Sequence, residues 1–141
     1  MSRKVDYNQL NTFSNTGDDF INAVIEVPMN SFDKIEWDSS NQTMIVDRVN
    51  LSDFPQPANY GFIPRALGGD GDNLDILVLS NQSIKTGSVL SVKVLGIMFF
   101  IDDKQTDDKI VAVMNGSDTS LLDQRKNDIE FYFNNYKKAE V

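Results

Sequence analysis

The sequence predicts an α+β fold that is mainly β, a small β-barrel of five or more strands closed by a C-terminal amphipathic helix. Short apolar and β-branched segments, separated by turn residues, fill most of residues 20–114, and this pattern is typical of Greek-key barrels. Over residues 119–138 the apolar residues recur at helical spacing instead. The residues that share one side of this helix are Leu122, Ile129, Tyr132, Phe133 and Tyr136.

Turn residues divide the first half of the chain into short elements. Residues 1–19 are polar and aperiodic, so we expect a loosely held arm on a single domain of residues 1–141. Phe54–Pro64 contains three prolines and predicts an irregular, extended chain. Apolar or alternating segments predict three strands of an antiparallel meander at residues 20–27, 34–38 and 43–49.

The second half alternates strands with acidic turns. The apolar run Ile76–Leu79 predicts a buried strand. Val89–Ile101 predicts a long strand that bends at Gly96, since glycine inside a strand marks a bulge or a bend. The acidic segment Asp102–Lys109 predicts a hairpin, from which Ile110–Met114 returns as a strand.

Composition restricts the possible chemistry. The chain of 141 residues carries a formal net charge of −8, which argues against nucleic-acid and anionic-membrane partners. It contains no apolar run of about 18 residues and no signal-peptide pattern, so we expect a cytoplasmic protein. Cysteine and histidine are absent, which excludes disulfides, thiolate zinc sites and the commonest general base. Acid–base chemistry must therefore come from Asp, Glu, Lys, Tyr or water.

A glycine-rich turn, Gly68–Asp75, places Asp70, Asp72 and Asp75 within six residues. Carboxylates held this close together indicate a hard cation with oxygen ligands. Three interpretations are open: a solvated acidic turn, a calcium loop and a multi-metal site for phosphate chemistry. Counted from Asp70, Asp75 stands where an EF-hand needs its glycine, and a calcium-binding nonapeptide would need several stacked copies.

Further charged residues interrupt strands or lie in turns elsewhere in the chain. Each of them alone is typical of a solvated strand face or a charged hairpin tip. They indicate a site only if the fold brings them together. The acids are Glu26, Asp70, Asp72, Asp75, Asp102 and Asp107, and the cations are Lys34, Arg48, Lys109 and Lys137.

The segment Asn59–Val78 resembles the signature region of the soluble family I inorganic pyrophosphatases. The resemblance extends in the family's order over about residues 20–138. It implies an OB-like, five-stranded closed barrel and Mg²⁺-dependent hydrolysis of pyrophosphate to two phosphates, with several Mg²⁺ or other divalent ions per site. The other segments that carry it are Ile25–Pro28, Lys34–Glu36, Val46–Arg48, Asp102–Val113 and Tyr136–Lys137.

The resemblance also implies a role for each charged residue. Asp72 would orient or deprotonate the attacking water. The implied metal ligands are Asp70, Asp75, Asp102, Asp107 and Glu26. The implied phosphate ligands are Lys34, Arg48, Tyr60, Tyr136 and Lys137. The implied supporting side chains are Glu36, Lys109 and Gln56.

The charge balance is compatible with these roles. Six acids and four cations leave about five or six negative charges once pyrophosphate is added, and roughly three divalent ions would neutralise them. Two residues depart from the family pattern: Asn73 stands where the signature has Pro, and Gln56 stands where many members have a phosphate-contacting Tyr.

Partners and alternative functions follow from the same residues. The resemblance implies a homo-oligomer. Its subunit number stays open, because the segment between Val113 and the helix is shorter than in typical bacterial members, and the missing parts flank surfaces that the family uses for subunit packing. One alternative is a degenerate member that binds phosphate or metal without turnover. Another is a calcium-binding or oligonucleotide-binding barrel without catalysis.

Overall fold

Strands dominate the computed structural model, which describes residues 5–14, 19–51, 53–67, 72–102 and 104–139, with the side chains of all of these except 102 and 135–139. The described residues form nine strands and one α-helix. In chain order these are β1 (Ile21–Val27), β2 (Lys34–Asp38), β3 (Thr43–Arg48), β4 (Asn59–Leu67), β5 (Asn73–Leu79), β6 (Val89–Met98), β7 (Ile101–Asp102), β8 (Gln105–Thr106), β9 (Lys109–Met114) and α1 (Leu121–Ala139).

Five of these strands close a barrel in the order β1-β4-β5-β9-β6. The β5–β9 pair is parallel and the other pairs are antiparallel. The expected α+β, mainly β architecture with an OB-like barrel and one C-terminal helix is therefore confirmed. The predicted bend at Gly96 is confirmed by a shift of register between Val94 and Gly96. Strands β7 and β8 form the predicted acidic hairpin.

The strand β5 is buried on both faces, which explains its continuous apolar run. Ile76 and Val78 point into the barrel and pack with residues of the other barrel strands. Leu77 and Leu79 point outwards and pack against α1. The side of α1 that covers them has Leu121, Ile129, Tyr132 and Phe133 buried. The predicted Ile129, Tyr132 and Phe133 are confirmed, Leu121 takes the buried position expected for the only partly buried Leu122, and the side chain of Tyr136 lies outside the described residues. Within the described ranges, no helix combines the length and apolar character needed to span a bilayer.

Strands β1 and β4 approach each other too closely for any side chain at Gly61. A Cβ atom at this position would lie 1.8 Å from the carbonyl oxygen of Val24. Glycine is therefore required at this point of the β1–β4 pair, and the close approach of the two strands sets the position of the neighbouring Tyr60.

The predicted three-strand meander is wrong in part. Strands β2 and β3 pair with each other as an antiparallel hairpin, and they form a two-stranded sheet outside the barrel. Strand β1 instead pairs with β4 and β6. Alternation along a strand identifies its faces but not its partner, because ladder pairing is decided by tertiary contacts.

The segment predicted as irregular extended chain also differs. Residues 54–58 lie outside the strands, but β4 begins at Asn59 and runs through Pro64. Pro64 is tolerated because the ladder with β5 shifts register between Phe62 and Leu67, so no amide donor is required there.

The polar arm is held more firmly than its sequence predicts, at least over residues 5–14. Tyr7 donates a hydrogen bond from its hydroxyl to the carbonyl of Gly87 at 2.7 Å. Thr12 donates from its hydroxyl to the carbonyl of Pro64 at 2.8 Å. Side-chain hydrogen bonds of this kind leave no hydrophobic period in the sequence, so the arm was indistinguishable from a solvated segment.

Candidate active site

A cleft of about 380 Å³ opens between the barrel, the β2–β3 hairpin and Phe133 of α1. Six carboxylates and two lysines line its described part, together with several aromatic rings. The carboxylates belong to Glu26, Asp33, Glu36, Asp72, Asp75 and Asp107, and the lysines are Lys34 and Lys109.

Lys109 lies at the centre of this cleft and joins two carboxylates. Its ammonium group donates hydrogen bonds to Asp75 Oδ2 at 2.6 Å and to Asp107 Oδ2 at 2.8 Å. It also donates to the hydroxyl of Tyr60 at 3.1 Å. The ammonium lies 5.4 Å from the centre of the Tyr60 ring and 5.8 Å from that of Phe100, distances compatible with cation–π attraction.

The barrel topology produces this cluster directly. Parallel pairing of β5 with β9 places Asp75 opposite Lys109. Asp107 precedes β9 by two residues, so its carboxylate reaches the same ammonium group. Tyr60 lies on β4, the other neighbour of β5. Four residues from three separate segments of the sequence thus meet at one end of the barrel.

Burial and charge shift the pKa values of the clustered groups. Burial raises the pKa of Asp75, and the nearby Lys109 lowers it only in part. Burial would lower the pKa of Lys109, but the carboxylates of Asp75 and Asp107 raise it above its usual value. Burial, followed by the charges of Asp75 and Glu26, raises the pKa of Tyr60. The described cluster therefore holds more negative charge than its single ammonium group neutralises.

Glu26 is a second buried carboxylate of the cleft. Its Oε2 accepts a hydrogen bond of 2.7 Å from the backbone N–H of Trp37. Burial, together with the smaller effect of the Asp75 charge, raises the pKa of Glu26 to about 8 against the opposing effect of this hydrogen bond. A buried carboxylate that forms no ion pair with the described residues is suited to bind a cation.

The β2–β3 hairpin brings further charges to the cleft. The Nζ atom of Lys34 lies 3.4 Å from Glu36 Oε1 and 3.8 Å from Asp47 Oδ2. Arg48 is the cross-strand neighbour of Lys34, and its Nε lies 3.9 Å from Asp47 Oδ2. Lys34 and Glu36 line the cleft, whereas Arg48 is half-exposed at its margin and does not.

Gln56 contributes a buried polar group to the wall of the cleft. Its backbone is held by hydrogen bonds with Ser31 and Asn30 at 2.9 and 2.8 Å. The side chain is buried, and its Oε1 has no hydrogen-bond partner among the described residues. An unpaired buried carbonyl is unfavourable by about 1–3 kcal/mol, so this atom is suited to accept a bond from a ligand or a water molecule.

The structure brings most of the predicted site residues together, although not all can be located. Arg48 is the one described candidate outside the lining of the cleft. Asp70 and the side chains of Asp102, Tyr136 and Lys137 lie outside the described residues. The candidates that do line the cleft are Glu26, Lys34, Glu36, Gln56, Tyr60, Asp72, Asp75, Asp107 and Lys109.

A divalent metal fits the donor set, although no complete site is present in the part of the chain that is described. Among those residues, no three Asp or Glu carboxylates form a ready metal site. In the same part of the chain, the Lys109 ammonium lies between Asp75 and Asp107. These two carboxylates converge on one cation, and carboxylate oxygens are the ligands that Mg²⁺ prefers. Asp75, Asp107 and Glu26 are therefore candidates to hold a hard cation.

Several residues of the cleft were not singled out from the sequence. Trp37 supplies the backbone donor to Glu26, and Asp33 adds a carboxylate. Phe100 and Phe133 form part of the apolar wall. A backbone donor leaves no sequence signal, whereas the aromatic residues resemble ordinary core positions. Only Asp33, a carboxylate next to a predicted strand, could have been added from sequence.

Comparisons with known proteins agree with this geometry. The sequence model of the family described as inorganic pyrophosphatase matches residues 23–141. The inorganic pyrophosphatase of Haemophilus influenzae is 45% identical over 141 positions, which cover 94% of this chain and 80% of that protein. Two crystal structures of inorganic pyrophosphatases are also similar.

The enzyme from Neisseria gonorrhoeae has a TM-score of 0.85 and 40% identity, and the match covers 96% of this chain and 83% of that one. The enzyme from Thermus thermophilus has a TM-score of 0.86 and 32% identity, and the match covers 96% of this chain and 82% of that one. With this fold, this cleft and these matches over most of its length, the chain belongs to the inorganic pyrophosphatase family.

Proposed function

We propose that this chain hydrolyses inorganic pyrophosphate to two phosphates and that it requires Mg²⁺. The observation that carries the proposal is the cluster of Asp75, Lys109 and Asp107, in which two converging carboxylates hold a cation at 2.6 and 2.8 Å. The cleft around it is wide enough for a small polyanion, and the charged residues of its lining are mainly acidic. Pyrophosphate would be repelled by such a lining unless metal ions accompanied it.

Divalent ions held by Asp75, Asp107 and Glu26 would neutralise the phosphate charge and lower the pKa of the attacking water. Asp70 and Asp102 complete the proposed ligand set on the resemblance alone. Phosphoryl transfer depends mainly on positioning and charge neutralisation, and a site without histidine or cysteine can supply both.

The remaining residues bind the substrate and move a proton. Asp72 is exposed at the cleft, directly before β5, and it is proposed to receive the proton of the attacking water. Lys34 and Tyr60 line the cleft and are proposed to contact phosphate oxygens. Arg48 lies at the margin and would have to turn inwards when the substrate binds. Tyr136 and Lys137 complete the proposed phosphate contacts, and Glu36 and Gln56 support them.

Phosphate release is the decisive measurement. The purified chain is incubated with pyrophosphate and Mg²⁺, with and without excess EDTA, and free phosphate is measured over time. We expect steady release with Mg²⁺ and almost none with EDTA. Full turnover in EDTA would refute the metal requirement. Binding of pyrophosphate without release would instead favour a degenerate member that binds its ligand without turnover.

A homo-oligomer is part of the proposal. Val94, Ile97 and Phe99 lie on or directly after β6, and these residues are 42%, 45% and 79% exposed. Neighbouring exposed apolar side chains are typical of surfaces that pack against a second copy. Sedimentation velocity of the wild-type chain and of Phe99→Ser would test this surface, since the substitution should shift the chain towards smaller species.

A further inference from the structure

Two residues of the N-terminal arm contact Trp37, and neither of them lines the cleft. The ring of Tyr7 meets the ring of Trp37 edge-on, with 4.8 Å between their centres. The indole N–H of Trp37 donates a 2.9 Å hydrogen bond to Asn8 Oδ1. Asn8 in turn donates from Nδ2 to the backbone carbonyl of Ser39 at 3.0 Å. Tyr7 and Asn8 thus contact both β2 and the turn that follows it.

The same arm is fixed to the barrel. The Tyr7 hydroxyl donates to Gly87, whose own N–H donates to the carbonyl of Ile25 on β1 at 2.7 Å. The backbone N–H of Asn22, also on β1, donates to the carbonyl of Thr12 at 2.8 Å. Residues 5–14 therefore connect the barrel to the β2–β3 hairpin, which has no strand ladder with the barrel.

Trp37 links the N-terminal arm to the cleft. Its backbone N–H is the donor to Glu26 Oε2, and the residue belongs to the lining of the cleft. The hairpin that it belongs to also carries Lys34 and Glu36, which line the cleft as well. A displacement of Trp37 would therefore move the backbone N–H that binds Glu26 and, on the same hairpin, Lys34, which is proposed to bind phosphate.

We propose that Tyr7 and Asn8 are positioning residues that hold the β2–β3 hairpin over the cleft and so increase its affinity for pyrophosphate. The inference rests on the proposed function, because the ligand is the substrate proposed above. Its physical reason is preorganisation: a hairpin that is held in place before the ligand binds loses less conformational entropy on binding than a loose one.

Asn8→Ala tests the inference, and Trp37 is the reporter because it is the only tryptophan in the sequence. Loss of the indole partner should shift the Trp37 emission to longer wavelength and increase its quenching by acrylamide. KM for pyrophosphate should rise about three- to tenfold while kcat changes less than about twofold, which is the pattern of lost preorganisation. Calorimetry with pyrophosphate and a metal that does not support turnover, such as Ca²⁺, should show the same loss of affinity.

Two matched variants separate positioning from general stability. Asn8→Asp retains an acceptor for the Trp37 indole and should restore much of the emission and KM. Asn11→Ala changes the same residue type in the same arm, but the side chain of Asn11 contacts Arg65 and not the hairpin. It should leave emission and KM unchanged, even if the melting temperature falls as far as in Asn8→Ala.

The outcomes discriminate clearly. Unchanged KM and affinity in Asn8→Ala overturn the inference while the proposed function stands, whether or not the emission shifts. A rise in KM equal to that of Asn11→Ala overturns it as well, because the effect would then reflect stability. If the wild-type chain binds pyrophosphate without hydrolysing it, the proposed function fails and the calorimetry still decides the inference. A wild-type chain that neither binds nor hydrolyses pyrophosphate overturns both.

Discussion

Lys109 combines two roles that conflict. Its ammonium group forms ion pairs with both Asp75 and Asp107 in the metal-free chain, yet it lies between the carboxylates proposed to hold a metal ion. The ammonium side chain is only 4% exposed, so its contacts are not weakened by solvent as surface ion pairs are. Lys109 therefore acts as an internal cation that stabilises the site before metal binds.

Lys109→Met should destabilise the metal-free chain strongly. It leaves two carboxylates without their buried cation, a change that typically lowers the free energy of unfolding by about 3–5 kcal/mol. The loss should shrink when Mg²⁺ is added, because the ion replaces the missing charge. Urea unfolding in EDTA and in Mg²⁺ measures both effects. Lys34→Met is the control, since its ion pairs at 3.4 and 3.8 Å are more exposed. Equal losses with and without Mg²⁺ would contradict this role.

Asp72 differs from the other acids of the cleft because it is proposed to accept the proton of the attacking water. Asp72→Asn keeps the size of the side chain but removes its basicity. A positioned general base contributes about 10²–10⁴ in rate, so kcat should fall by that order and the loss should shrink as the pH rises. Profiles of kcat against pH test this, with Asp33→Asn as the control in the same cleft. A normal kcat at neutral pH, or a loss that appears only in Mg²⁺ affinity, would refute the assignment.

The β2–β3 hairpin shows which features of an element can be predicted from the sequence and which depend on the rest of the fold. Its alternation and its cross-strand pairing are local and could be predicted. Its separation from the barrel could not, because that depends on which partners β1 finds in the folded chain. The same contrast holds for the site: acids in a glycine-rich turn can be recognised, whereas the convergence of Asp75 on Lys109 requires the parallel β5–β9 pairing.

The burial of Gln56 and the donor from Trp37 to Glu26 also escaped sequence reasoning. Both depend on backbone positions set by contacts between distant segments, and neither has a residue pattern of its own. In contrast, the C-terminal helix followed from its period alone, since one apolar side facing a barrel is sufficient to specify it.

Arg48→Ala tests whether the hairpin contributes to substrate binding. A charge-assisted contact to phosphate is typically worth about 1.5–3 kcal/mol, so kcat/KM should fall by roughly 10- to 150-fold. The melting temperature should stay close to that of the wild type because the Arg48 side chain is 51% exposed. Lys93→Ala, an exposed cation of β6 that does not line the cleft, is the matched control. Wild-type kcat/KM in Arg48→Ala would show that Arg48 is an ordinary surface cation.

At the scale of the whole molecule, the acidic cleft makes stability depend on pH when no metal is present. The pKa of Glu26 rises from its usual 4.5 to about 8 because the folded chain buries it. Between these two values the folded chain holds a proton that the unfolded chain has released. The contribution of Glu26 to the free energy of unfolding is therefore fully present below about pH 4.5, and it is lost as the pH rises through about 8. Asp75 acts in the same direction, since burial raises its pKa too.

Glu26→Gln should remove the contribution of Glu26 to the pH dependence of stability. The amide keeps an acceptor for the Trp37 N–H but has no charge to bury. In EDTA, the free energy of unfolding of the wild type should fall between pH 5 and pH 8, by at most about 5 kcal/mol from this residue. The variant should match the wild type near pH 5 and exceed it at pH 8. Urea unfolding at each pH measures the difference, and Glu36→Gln serves as the exposed control. If both chains lose the same stability across this range, Glu26 is ionised in the folded chain, and the cleft must already neutralise its charge without metal.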